Sequence, residues 1–245
     1  MKKKSIFKMM ALLLLFGSIS LGFVACNSDD DENSEVNDKS PAEAIDLGLP
    51  SGTLWASCNV GATKPEEYGD YFAWGEITPK ENYSESTYKW CNGDLDKLTK
   101  YNANNSYGTV DNKTELELTD DAAYMNWGGR WRMPSLDQIK ELLDNCDWEW
   151  TKLNGVRGQK ATSKKNGNTI FFPAADYYAP WGIPDVNNSV YACGEYWSRT
   201  LCTSYSDSGY GLRFDTSTVP GTRDVLGWDD CPREFGLSIR PVRMK

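Results

Sequence analysis

Residues 119–146 read TDDAAYMNWGGRWRMPSLDQIKELLDNC, and the spacing in this stretch predicts two short helices with an extended link between them. Thr119 stands as a helix N-cap, Asp120 and Asp121 favour the positive end of the helix, and Gly128-Gly129 end it. Residues 130–134 include Pro134 and read as extended chain. Ser135 then caps a second helix, with Gln138 three residues on to complete a capping box. Leu136, Ile139, Leu142, Leu143 and Cys146 recur at the spacing of one buried stripe.

Sustained helical periodicity is confined to this stretch, and strand signals surround it. Residues 159–163 and 169–173 flank a turn at 164–168 that contains Asn166-Gly167, the pattern of a hairpin. Residues 195–200, 210–215 and 235–242 also read as strands, and 45–47, 53–60 and 70–74 supply earlier ones. Residues 77–118 are polar and rich in Asn and Tyr, and read as a large loop insertion. Trp55, Trp74, Trp127, Trp131 and Trp197 are assigned to the core. The fold class expected is α+β, with short helices, twisted antiparallel strands and long loops.

The first forty residues have the layout of an export signal. Lys2, Lys3, Lys4 and Lys8 make a positive start, and an apolar run from 9 to 24 follows that is short for a membrane span. Phe23-Val24-Ala25-Cys26 resembles the lipobox at which lipoprotein signal peptidase cuts, with Phe23 where Leu is usual. The expected layout is a signal peptide over 1–25, a lipidated Cys26 with an acidic flexible tether over 26–44, and a domain over 45–245. The tether starts Asn27-Ser28-Asp29-Asp30-Asp31-Glu32, too polar to offset its chain entropy by burial. Serine followed by acidic residues behind the cysteine resembles the surface-export signal of Bacteroidetes lipoproteins. The place implied is the outer membrane, held through lipid and facing the exterior. Several acyl chains on one cysteine hold firmly where a single chain does not.

Composition narrows the function. The net charge is −9, and losing residues 1–25 removes four lysines to leave −13. So acidic a chain is a poor candidate for nucleic acid, whose phosphates call for Lys and Arg, and no nucleic-acid partner is expected. The chain has no histidine, which excludes Ser-His-Asp and Cys-His catalysis and every metal site that needs imidazole. Seven cysteines are present, and six remain once Cys26 is set aside: Cys58, Cys91, Cys146, Cys193, Cys202 and Cys231. An even number in an exported domain permits disulfides, Cys193 and Cys202 being near enough in sequence to bridge; buried thiols are the equal alternative. No Cys-x-x-Cys spacing signals zinc or dithiol redox chemistry.

Several motifs in fixed order carry a family resemblance: DLGLPSGTLWASCNVGA at 46–62, YGDYFAWGE at 68–76, WRMPS at 131–135, KNGNTIFFPAA at 165–175, YWS at 196–198 and SIRPV at 238–242. Over residues 45–243 the chain resembles the Fibrobacter succinogenes major paralogous domain family. Residues 121–142 carry a second, weaker likeness to the formylglycine-generating-enzyme branch of C-type lectin-like folds. Together these imply a compact C-type lectin-like domain with little regular structure and aromatic-rich loops. They imply no activity, since fold alone does not transfer one.

Candidate sites follow from that scaffold. The enzymatic relatives use a reactive cysteine pair, and Cys193 and Cys202 lie in a comparable region without matching the motif. Ile183-Pro184-Asp185 and Trp228-Asp229-Asp230-Cys231 loosely echo the calcium loops of sugar-binding lectins. Calcium needs six to eight oxygens, which Glu195, Asp207, Asp215 and Asp224 supply only if the fold gathers them. Arg132 and Arg240 read as buried arginines paired with carboxylates, Asp121 or Glu141 being the partners considered. Tyr177, Tyr178, Trp181 and Trp228 are the candidate ligand contacts, because Tyr and Trp in a Gly/Pro-rich loop give rigid contact area with a polar handle. The expected function is a non-enzymatic, surface-displayed binding module for a glycan or a protein, with no cofactor other than calcium to consider. A formylglycine-generating-type enzyme and a structural or fimbrial surface component are the alternatives.

Overall fold

The computed structural model describes residues 37–182, 192–216 and 225–245. The signal peptide, Cys26, Ile183-Pro184-Asp185 and Asp224 lie outside the described residues. Among the described residues, nine strands and two α-helices form a mixed α/β domain of three small antiparallel sheets. Among the described residues no helix is long and apolar enough to cross a membrane.

The first sheet brings the two ends of the domain together. Its strands are β1 (Ala44–Asp46), β2 (Thr53–Ala56) and β9 (Val242–Met244), with β2 in the middle. The second sheet runs in sequence order through β3 (Cys146–Leu153), β4 (Val156–Ser163) and β5 (Thr169–Pro173). The hairpin expected at 159–173 is present, and its first strand also pairs along its whole length with β3, which pattern reading missed. Beta3 alternates Trp with charged residues and is half exposed, so its apolar signal is thin. The two-residue turn Asn154-Gly155 joins it to β4, with φ of 48° and 89°, the left-handed pair that favours Asn-Gly.

The third sheet is β6 (Cys193–Leu201), β7 (Ser208–Asp215) and β8 (Val225–Pro232), again in sequence order. Two expectations change here. Within residues 235–241 only Gly236, Leu237 and Ser238 pair, as isolated bridges to Tyr178, Phe72 and Tyr196, and only Val242–Met244 joins a sheet. Trp228-Asp229-Asp230-Cys231, considered as a loop, is ladder: Trp228 stands opposite Leu212 and Cys231 opposite Gly209.

Helix α1 (Ala122–Trp127) begins two residues later than expected. Its cap is Asp121, whose carboxylate accepts from the Tyr124 and Met133 amides, while Leu118–Asp120 forms a preceding 3-10 turn. A buried carboxylate that ties two segments outcompetes the exposed Thr119 hydroxyl. Helix α2 (Leu136–Asn145) follows the sequence reading, with both hydrogen bonds of the Ser135–Gln138 capping box and Leu136, Ile139 and Leu142 buried.

Trp55, Trp74, Trp127, Trp131 and Trp197 are all buried. Trp74, Trp131 and Trp197 share one cluster with Tyr101, and Trp55 packs with Phe172, Tyr196 and Phe214 in another. Residues 77–118 hold three short 3-10 turns and their own buried cluster, in which Tyr83, Tyr88, Cys91 and Leu98 pack on Ala73. The insertion is therefore bound to the domain. Arg233 ties it down: fully buried, it donates to the Tyr88 hydroxyl and to the carbonyls of Lys100, Tyr101 and Ser206, over the Trp74 ring.

Residues 37–44, placed by composition in the tether, are also bound. The Lys39 amide donates to the Trp127 carbonyl at 2.7 Å, and the Trp131 indole donates to the Asp38 carboxylate at 3.1 Å. Arg240 has no carboxylate partner among the described residues; it donates to Asn59 Oδ1 at 2.7 Å and to the Ala56 and Ser57 carbonyls. Complete burial lowers its pKa to about 10. Glu141 caps Ser51 instead, accepting from its amide and hydroxyl.

Candidate ligand-binding site

The four aromatic residues singled out in the sequence separate into three places. Tyr178 turns inward, its backbone paired in both directions with Gly236. Its ring stacks on Tyr83 at 5.3 Å and meets the Tyr71 edge at 4.9 Å, which makes it a half-buried packing residue. Trp228 projects from β8, 47% exposed, with its ring edge-on to Tyr210 at 5.6 Å and the Lys140 ammonium 4.6 Å above it.

Tyr177 and Trp181 do come together, through a residue the sequence reading placed in a strand. Phe235 stacks on Tyr177 at 5.7 Å with the rings 10° apart, and Trp181 stands edge-on to the same Phe235 at 5.7 Å. Trp181 is 71% exposed, the most open large hydrophobic side chain among the described residues. The three rings form a ledge. Phe235 was legible only as the first residue of a C-terminal strand; its position comes from the bridges that residues 236–238 make to Tyr178, Phe72 and Tyr196.

Beside the ledge the third sheet gathers charge. Arg213 of β7 sits across from Glu195 of β6 and reaches Glu195 at 3.4 Å, Asp215 at 3.1 Å and Asp229 at 3.6 Å. Burial works against the Arg213 charge, but Glu195 and Asp215 outweigh it and hold its pKa above the ordinary value. Burial raises the Glu195 pKa despite Arg213, and raises the Tyr177 hydroxyl with help from the Glu195 carboxylate. Asp176 has its backbone at a φ of 56° and is pushed by burial to a pKa of about 6.

Comparison of the chain with protein-family models, with curated proteins and with solved structures finds no match in any of the three.

No disulfide joins the six domain cysteines, all of which are buried. Cys193 opens β6, where its thiol meets Glu195 Oε1 at 3.8 Å, and Cys202 follows the far end of that strand. A strand of this length separates the two by roughly 25 Å or more, so the local bridge considered from their spacing does not form. Burial raises the thiol pKa values of Cys58, Cys91 and Cys231, and that of Cys146 to about 11, which keeps them protonated. Among the described residues no group of three or more His, Cys, Asp or Glu side chains converges on a metal position. Asp229 of the lectin-like echo is engaged by Arg213, and Asp230 is exposed on the edge strand.

Proposed function

We propose that this chain is an outer-membrane lipoprotein, anchored through Cys26 and facing the cell exterior, whose C-type lectin-like domain is a non-enzymatic binding module. The observation that carries the binding role is the ledge: Trp181 is left open to solvent while Phe235 and Tyr177 fix its base. A large apolar ring kept outside the core costs hydration free energy unless a partner covers it. Trp and Tyr lose little rotamer freedom on contact, so a held ring is a ready anchor.

A glycan is the ligand this ledge fits best. A sugar ring offers a flat C–H face to the open indole of Trp181, and the Tyr177 hydroxyl beside it is a polar handle for the rim of hydroxyls. The lectin-like scaffold is supported by the mix of small antiparallel sheets with few helices, and by the motifs of the resembling family.

A glycan microarray probed with the full chain in detergent tests the binding role. Selective retention of a glycan class is expected; an array with no signal above a denatured control argues against it. Anchoring is tested separately by labelled palmitate, expected on the wild type and absent from Cys26→Ser. Protease shaving of intact cells should remove the domain if it faces outward.

A further inference from the structure

We propose a second site, unrelated to the aromatic ledge: a cavity lined by arginines that binds a small organic oxyanion, a carboxylate or sulfate carried on a ring-sized body. Four of the chain's nine arginines, Arg130, Arg132, Arg199 and Arg243, line one cavity of about 300 Å³. That convergence is notable in a chain of net charge −9. The volume is at the lower end for small-molecule sites, enough for one ring.

The arginines are not all satisfied by the protein. Arg199 is paired with Glu115 at 2.8 Å and donates to the Met133 carbonyl; Arg243 reaches Asp38 at 3.5 Å and lies on the Trp131 ring. Arg132 donates only to the carbonyls of Trp131 and Gly129, with its guanidinium 4.2 Å over the Tyr124 ring. Arg130 is exposed and makes no ion pair or side-chain hydrogen bond among the described residues. The one carboxylate that lines the cavity, Asp121, is occupied by the Tyr124 and Met133 amides. Asp121 also feels the charges of Arg132 and Arg199, so it is the single acidic group facing four guanidinium groups, and Arg130 has no carboxylate partner among the described residues. Like charges gathered in a partly dry cleft repel each other, and an anion relieves that cost. The planar fork of Arg suits the paired oxygens of a carboxylate or sulfate.

The rest of the lining says that the anion has a body. Leu116, Leu118, Val242 and Met244 complete the wall, with Leu118 and Met244 each nearly half exposed. An inorganic ion would leave that apolar surface wet, whereas a ring covers it.

Calorimetric titration of the full chain in detergent, at low ionic strength, tests this with D-glucuronate, D-glucose 6-sulfate, cyclohexanecarboxylate, inorganic sulfate and D-glucose. The ring anions should bind, more weakly as salt is raised, and D-glucose should not. Arg130→Ala, at an exposed position, should melt as the wild type does and bind the ring anions at least tenfold more weakly, with Arg130→Lys in between. Trp181→Ala should bind them unchanged, which separates failure here from failure of the ledge. The proposal is overturned if no ring anion gives heat, if inorganic sulfate binds as well as the ring anions, if Arg130→Ala keeps wild-type affinity, or if Trp181→Ala loses it.

Discussion

Trp197 and Trp181 are the same side chain given opposite surroundings. Trp197 lies on β6 inside the cluster that also holds Trp74 and Trp131, fully buried, with its indole donating to the Phe72 carbonyl at 2.7 Å. Trp181 stands on a turn, mostly in solvent, held at its edge by Phe235. The interior ring is part of what makes the chain fold, and the outer ring rests on a structure already made. The segment Arg233–Glu234–Phe235 joins the two regions: Arg233 is rooted inside, and Phe235 carries the ledge. The difference teaches that aromatic content alone assigns no role; what decides is whether the backbone around the ring is paired into the core.

The largest effect should come from the interior. Trp197→Ala removes a large side chain from a closed core and should cost about 3–5 kcal/mol in denaturant unfolding. A loss below about 1 kcal/mol would break the comparison. Next comes Arg233→Ala, which leaves three backbone carbonyls and a tyrosine hydroxyl without their donor. It should cost about 2–4 kcal/mol, and Arg233→Lys should recover little, because an ammonium cannot span those acceptors.

The joining segment adds a pH dependence. Burial raises the Glu234 pKa to about 7, and one of its oxygens has no hydrogen-bond partner among the described residues. Asp176, beside the ledge, is raised to about 6. Both carboxyls hold their protons more tightly folded than unfolded. Their contribution is full below the unfolded values near 4, and is lost as pH rises through about 6 to 7. Thermal melts should therefore rise from pH 8 to pH 5, by an amount of order 1–3 kcal/mol. Below that the trend should reverse, since Glu117, lowered to about 2 by Lys100 and Lys113, and Asp120 lose their paired form as acid rises. Glu234→Gln should flatten the rise; an unchanged slope would remove Glu234 from this account. The smallest effect on stability should be that of Trp181→Ala, within about 0.5 kcal/mol.

Much of the fold was legible in the sequence, and the reasons are local. The capping box at Ser135, the apolar stripe of α2 and the five core tryptophans each depend on neighbours within a turn or on bulk hydrophobicity. What was hidden depends on partners far along the chain. Beta3 and β8 are half-exposed strands identified by their ladders, and Asp38 joins the domain because Trp131 and Arg243 wait for it. The residues proposed for binding divide in the same way. Tyr177 and Trp181 carried a signal in their loop composition, while Phe235 and the converging arginines carried none, since convergence is a property of the folded chain.

The central claim is that Trp181 belongs to a ligand and not to the fold. The direct measurement is glycan-array binding by the full chain and by Trp181→Ala, run beside thermal melts of both. The account predicts that the glycan signal of the wild type disappears in Trp181→Ala while the melting temperature stays within about 2 °C, as expected of a surface substitution. Glycan binding retained in Trp181→Ala, or lost only together with the fold, would contradict it.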